Sequence, residues 1–339
     1  MTSLVIGANG YLGSHVTRQL VDRGDDVRVM VREGANTVGV DDLAVTRYVG
    51  DIWNDHTLRD AMTGCDVVYY CVVDTRGWLR DPAPLFRTNV EGTRNVCEVA
   101  TESAVAAGLK KFVFTSSYVT VGRRCGRTAT EDDVIADRRL TPYVRSRVQA
   151  ENLVMDYTRT RGLPAVAMCV STTYGAGDWG RTPHGAIIAG AAFGKLPFVM
   201  GGIELEAVGI DDAARALLLA AEKGRVGERY LISEKMISNA DVVRIAADAA
   251  GVPAPTRKVP LALSYAMAAM GSLKGRLTGT DERLSLDSLR LMRAEAPVDC
   301  SKAKRELGWQ PKPVEESIRE AARFWVSLRD AKRASRATG

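Results

Sequence analysis

Gly7-Ala8-Asn9-Gly10-Tyr11-Leu12-Gly13 stands between a short apolar strand and the first helix of the chain. Glycines in that position let the backbone turn tightly and bring N–H groups and a helix N-terminus against a pyrophosphate. The spacing is Gly-x-x-Gly-x-x-Gly rather than Gly-x-Gly-x-x-Gly, and its place as the first strand–helix turn makes it a dinucleotide cradle. A second cluster lies more than a hundred residues on. Thr115-Ser116-Ser117 follows the strand Phe112–Phe114, and Tyr143-Val144-Arg145-Ser146-Arg147 opens a long helix. Tyr143 and Arg147 are four apart, so a helix projects both from one face. Ligands of open α/β sheets sit beyond the carboxyl ends of the strands, where Ser117 and this helix converge on the cofactor.

The residue that would bind a ribose 2′-hydroxyl, at the end of the second strand, is Val31, followed by Arg32. An acid there would repel a 2′-phosphate, whereas a guanidinium can clamp it. NADP is therefore the expected cofactor, in preference to NAD. Asp51-Ile52, after another short run, is placed to meet the adenine, and the strand ends Cys71 and Val170 are further expected cofactor contacts.

The elements that must hold these groups alternate. Strands at Leu4–Ile6, Val27–Val31, Val67–Cys71, Phe112–Phe114 and Ala165–Val170 are separated by helices at His15–Arg23, Leu58–Met62, Asn89–Ala107 and Tyr143–Thr160. That rhythm predicts a doubly wound parallel Rossmann sheet, buried on both faces. After Val170 the pattern changes. Residues 171–205 are glycine-rich and irregular, Ile210–Glu222 is a helix and Arg229–Ile232 a returning strand. Helices follow at Asn239–Ala250, Leu261–Ser272, Ser285–Arg293 and Glu315–Leu328. The α/β class is thus expected with a smaller, mainly helical C-terminal substrate lobe. Residues 1–170 plus 206–233 form the NADP-binding unit, 171–205 plus 234–328 the lobe, and 329–339 a disordered basic tail.

The three stretches Asn89-Val90-Glu91-Gly92-Thr93, Gly209-Ile210-Asp211-Asp212-Ala213-Ala214 and Arg305-Glu306-Leu307-Gly308-Trp309, with the glycine loop and the Ser117/Tyr143 pair, resemble the extended short-chain dehydrogenase/reductase family over nearly the whole chain. The branch most alike is that of dihydroflavonol reductases and 3β-hydroxysteroid dehydrogenases. The resemblance implies that Ser117 hydrogen-bonds the substrate oxygen, that Tyr143 is the general acid/base and that Asn89 supports the loops beside the nicotinamide. It also implies a homodimer through the helices at Asn89–Ala107 and Tyr143–Thr160. The family writes Tyr-x-x-x-Lys where this chain has Arg147. A fixed cation still stabilises a phenolate, and each pKa unit of lowering corresponds to about 1.4 kcal/mol. Arginine keeps the charge and bonds ribose hydroxyls, but it releases no proton into a relay.

The expected activity is an NADP-dependent oxidoreductase interconverting a secondary alcohol and a ketone on an apolar, steroid- or terpenoid-like molecule. Sugar-nucleotide 4,6-dehydratases carry Thr-Asp-Glu where this chain has Thr115-Ser116-Ser117, which removes the acidic pair for water elimination. A sugar-nucleotide epimerase is the alternative enzyme, disfavoured by Glu206 near the place of a diphosphate, and an NADP-binding sensor marked by Arg147 is the non-enzymatic alternative. Leu261–Met270 reads as a helix apolar on most sides, either core or a wall of a hydrophobic cleft with peripheral membrane contact. The resemblance places the loops of Trp78, Phe86 and Trp179 near that cleft.

Composition excludes other classes. With 46% apolar and 26% charged residues the chain is neither disordered, collagen-like nor a disulfide scaffold. A net charge of +5, densest at Arg329–Arg336, offers no basic stripe for nucleic acid. Six cysteines without a Cys-x-x-Cys pair, and His15, His56 and His184 far apart, give no expected metal site. Gly185–Gly194 and Ala213–Ala221 are too short to span a bilayer, and Met1-Thr2-Ser3 leads straight into a strand, so a cytoplasmic protein is expected.

Overall fold

The computed structural model describes residues 1–122, 126–135, 140–292 and 296–337; Cys125 lies outside them. The first unit runs β1 (Thr2–Ile6), α1 (Tyr11–Asp22), β2 (Asp26–Val31), β3 (Thr46–Val49), α2 (Asp55–Met62) and β4 (Val67–Tyr70). It continues through α3 (Ala83–Phe86), a π-helical turn (Arg87–Glu91), α4 (Gly92–Ala100), α5 (Ser103–Ala106), β5 (Lys111–Ser117), α6 (Pro142–Arg161) and β6 (Ala165–Val170). Then come β7 (Thr172–Tyr174), α7 (Pro183–Ala192), β8 (Val199–Met200), β9 (Glu204–Gly209), α8 (Ile210–Lys223) and β10 (Arg229–Ile232). The chain ends with β11 (Lys235–Ser238), α9 (Asn239–Ala249), β12 (Lys258–Val259), α10 (Leu261–Thr278), α11 (Leu286–Leu291), α12 (Ser301–Leu307) and α13 (Val314–Ala337).

Seven parallel strands form the main sheet in the order β10-β6-β5-β4-β1-β2-β3. The strand order reverses at β1, between β4 and β2, and a crevice must open there at the carboxyl ends. Val67-Val68-Tyr69-Tyr70 is wholly buried, as a strand covered on both faces must be. One face packs on α1, α8 and α12 through Val16, Leu20, Leu217 and Leu307. The other packs on α2, α4 and α6 through Leu58, Val96 and Val154. Burial of each such side chain contributes about 1.5–3 kcal/mol.

The second lobe holds the small sheet β11-β9-β7 and the pair β12-β8. Its core joins α7, α9 and α13 around Ile188, Val242 and Ile318, while α10 and α11 share a much smaller cluster of Ile203, Ala268 and Leu289.

Several expectations are corrected. Glu206–Gly209 does not rejoin the main sheet; β9 pairs with β7 and β11, and the return begins at Ile210. The irregular stretch 171–205 contains α7, whose Thr182 side chain caps Gly185 N with Pro183 in the first turn. The helix expected at Asn89–Ala107 is broken by the π turn and again after Ala100. Residues 329–337 are no disordered tail but the last turns of α13, where the Arg329 guanidinium lies 5.2 Å from the centre of the Phe193 ring. Helix α10 is core only in part: Leu261 and Tyr265 pack on Ile203, Ala268 and Leu289, whereas Leu263, Met270, Leu273 and Leu277 are exposed. No helix among the described residues is long and apolar enough to cross a membrane.

Candidate active site

The glycine loop is built by contact. Gly7 has φ +85°, a conformation that favours glycine, and its carbonyl accepts Gly10 N at 3.0 Å. A Cβ on Gly13 would lie 2.2 Å from the Gly7 oxygen, so only glycine lets α1 approach β1 this closely. Gly10 is the N-cap of α1 without a side-chain bond, which leaves the amides of Tyr11, Leu12 and Gly13 free of intrahelical partners. Asn9 lies half-buried on the loop and Leu12 packs toward the core. The Tyr11 hydroxyl donates to Gly175 O at 2.8 Å, so its side chain ties the loop to the chain after β7 and only its amide is free for a phosphate.

Arg32 is exposed beyond β2 and makes no side-chain hydrogen bond or ion pair among the described residues. Asp51 turns the chain by accepting Trp53 N at 2.9 Å, and Ile52 is buried under Gly92, where a Cβ would stand 2.1 Å from its Cδ1. Cys71 receives a weak bond from Thr115 Oγ1 at 3.6 Å, which links the ends of β4 and β5. Val170 pairs in register with Ser117, so the ends of β5 and β6 stand side by side.

At the carboxyl end of β5, Ser117 and Tyr143 are nearly buried, 8% and 9% exposed, and Arg147 is wholly buried. Thr141 caps α6 by accepting Val144 N, and Pro142 occupies the first turn, which fixes where Tyr143 emerges. Burial pushes the phenol above its ordinary range. The Arg147 cation and a hydrogen bond with Ser117 pull it down, and Asp74 pushes it up. The Arg147 Nη2 donates to Thr115 O, and its guanidinium lies 5.4 Å from the Phe114 ring centre. Its Nε and Nη1 are buried and have no hydrogen-bond partner among the described residues.

Asn89, wholly buried in the π turn, closes the floor. Its Oδ1 accepts Asp74 N at 2.8 Å, and its Nδ2 donates to Asp74 O and Ser146 Oγ, each at 3.0 Å. Ser146 in turn donates to Tyr143 O at 2.8 Å. One amide thus clamps the loop after β4 to the turn that carries Tyr143, and the π register follows from where Asn89 must point.

Two supports escaped the sequence reading. Ser146 shows only as a small hydroxyl among larger neighbours. Glu151, four residues after Arg147 on the same face, is buried and pairs with Arg229 at 3.0 Å; it accepts from Ser116 and, at 2.8 Å, from Thr120. Its signal was an acid on an otherwise buried helical stripe. Glu206, by contrast, faces no diphosphate: it is buried, accepting Ser233 Oγ and Val298 N, and that argument against a sugar nucleotide falls away. Trp179 packs edge-on against Phe324 at 4.9 Å, and Phe86 lies under Arg145. Trp78 sits beside Arg283 on the loop whose Gly77 abuts Tyr143.

The residues fit a nicotinamide dinucleotide. Buried charged donors without partners are costly unless a ligand meets them, and Arg147 Nε and Nη1 are two such donors. The glycine cradle and open amides of α1 suit the pyrophosphate, and Arg147 the ribose hydroxyls.

Comparison with known proteins agrees. A family model described as the NAD dependent epimerase/dehydratase family matches residues 3–233. A putative dihydroflavonol 4-reductase of Synechocystis is 28% identical over 95% of this chain and 93% of its own. Sterol demethylase protein B of Methylococcus capsulatus is 29% identical over 96% of this chain and 98% of its own. The crystal structure of gox2253 is similar with a TM-score of 0.84 and 31% identity, over 96% of this chain and 98% of that one.

Proposed function

The chain belongs to the NAD-dependent epimerase/dehydratase family, and from that premise we propose an NADP-dependent oxidoreductase that interconverts a secondary alcohol and a ketone on an apolar, sterol- or terpenoid-like molecule. The observation that carries this reading is the buried Ser117–Tyr143–Arg147 cluster with two guanidinium nitrogens unspent. The bound dinucleotide supplies a hydride from nicotinamide C4. With hydride so supplied to a carbonyl carbon in the reducing direction, Tyr143 Oη would give its proton to the carbonyl oxygen, which would take up the C=O π pair. Ser117 Oγ donates to the same oxygen as charge develops. The phenolate left behind is held by Arg147 and Ser117 until it regains a proton from solvent. A positioned acid of this kind contributes about 10²–10⁴-fold in rate.

Arg32 supports NADP, since a free, exposed guanidinium after β2 complements a 2′-phosphate. The sterol and flavonoid names among the relatives support an apolar substrate, and the family's habit supports a homodimer through α4 and α6. Absorbance of NADPH, followed across sterol, terpenoid and sugar-nucleotide ketones, tests the reading. Consumption with apolar ketones, at least tenfold slower with NADH, is the expected result; each factor of ten is about 1.4 kcal/mol. Preference for NADH would remove the role of Arg32. Turnover confined to nucleotide sugars would remove the apolar substrate.

A further inference from the structure

Helix α10 wears its bulk outside. Leu263, Met270, Leu273 and Leu277 are 51%, 65%, 56% and 79% exposed and, with exposed Ala266 between them, fall on one side of the helix. The opposite side carries the buried small residues Ser264, Ala268 and Gly275, with Leu261 and Tyr265 half-buried against Ile203, Ala268 and Leu289. A Cβ on Gly271 would lie 2.1 Å from Leu284 O, and one on Gly275 2.8 Å from Thr280 O. A helix that serves only a water-surrounded core turns its large apolar residues inward and its small and polar ones outward. Here Gly271 and Gly275 lie close on the backbone of residues 280–284, and the stripe of Leu263, Met270, Leu273 and Leu277 is left uncovered among the described residues.

The charge around that stripe selects what covers it. Between Arg257 and Arg290 the chain carries six basic residues against three acidic ones. The acids are occupied: Glu282 pairs with Lys274, Asp287 with Arg290, and Asp281 accepts Arg80 N. Arg257 and Lys258 before the helix, and Arg276 in its last turn, are exposed and without ion-pair partners among the described residues. An apolar stripe bracketed by exposed cations matches the acyl–headgroup boundary of an anionic bilayer.

We propose that α10 docks this protein on anionic lipid surfaces, its leucine and methionine stripe inserted and Arg257, Lys258 and Arg276 at the headgroups. The docked hairpin is also the rim of the active site. On α11, Leu291 lies within 3.0 Å of where a Gly77 Cβ would be, and that same point is 3.4 Å from Tyr143. Arg283 over Trp78 and Arg80 N on Asp281 tie the rim to the loop after β4. Docking through α10 therefore sets the cleft mouth close to the lipid.

The full-length protein is sedimented with sucrose-loaded vesicles of phosphatidylcholine alone or with about one part in three phosphatidylglycerol. Wild type is expected to bind the mixed vesicles, and to release with added salt. Met270→Glu with Leu273→Glu should lower binding at least roughly tenfold, with melting temperature and NADPH binding unchanged. Arg257→Gln, Lys258→Gln and Arg276→Gln together should abolish the preference for the anionic lipid. Absence of wild-type binding to either vesicle, or undiminished binding by both variants, overturns the proposal. A molar mass that drops in Met270→Glu/Leu273→Glu, read by light scattering, also overturns it and gives the stripe to a second copy of the chain.

Discussion

Around Tyr143 the loop after β4, β5 and α6 are tied together by buried hydrogen bonds, whereas on α10 four large apolar side chains stand in solvent. The first region is specified by close contacts: Asn89 holds both the N–H and the C=O of Asp74, Gly13 touches the Gly7 carbonyl, and Glu151 gathers Ser116, Thr120 and Arg229. The second rests on three buried residues, Ile203, Ala268 and Leu289, ringed by half-buried ones such as Leu261 and Tyr265. The difference teaches where each half of the work is done. The polar cluster at Tyr143 is locked between β5, α6 and the loop after β4, whereas α10 rests on a small cluster and leaves four large apolar side chains exposed.

The contrast breaks first at Tyr143. Tyr143→Phe should slow turnover by about 10²–10⁴-fold and leave NADPH affinity, read by fluorescence titration, nearly unchanged. A variant that keeps a tenth of the rate would place the proton source elsewhere. Asn89→Ala should come next, because it leaves the Asp74 amide buried without a partner. A loss of about 1–3 kcal/mol in chemical denaturation is expected, with slower turnover; unchanged stability would show that the clamp is idle.

The second lobe supplies a gentler case. His184 at the start of α7 packs edge-on with Tyr174, and its Nδ1 is buried with no hydrogen-bond partner among the described residues, so burial pulls its pKa from 6.5 to about 4. Between those values the unfolded imidazole holds a proton that the folded one refuses. Stability is therefore intact above the upper value and falls as pH drops through the window. Melting curves across that range should show the fall, and His184→Gln should flatten it; equal slopes would mean that the ring is solvated. Smallest of all is Leu277→Ala, 79% exposed on α10. It should move stability by less than about 0.5 kcal/mol, where truncating a buried leucine costs about 2–5 kcal/mol. A core-sized loss would show that α10 is covered after all.

Much of the catalytic half was legible in the chain. The β-branched runs gave strands buried on both faces, and a glycine loop after the first of them has few other uses. Tyr143 and Arg147 declared a shared face by spacing alone. The π turn was not legible, since Arg87–Glu91 has an ordinary helical pattern and its register depends on Asp74, fifteen residues away from Asn89. Helix α7 hid behind its glycines, although Thr182-Pro183 carried a cap-and-proline start. The side on which α10 buries its small residues depends on the backbone of residues 280–284, which no periodicity records. Glu206 misled for a similar reason: its carboxylate meets Ser233 and Val298, both distant in the chain.

The central claim is that the Arg147 guanidinium makes the Tyr143 phenol a workable acid and base. Burial raises that phenol and the guanidinium lowers it, so removal of the charge must raise it further. The direct test is the pH dependence of single-turnover alcohol oxidation in wild type and in Arg147→Gln, with cofactor saturating. The rate rises with pH as the phenolate forms, and the account predicts that in Arg147→Gln this rise moves to higher pH. A midpoint left in place, with only the plateau reduced, would make Arg147 a cofactor clamp and contradict the account.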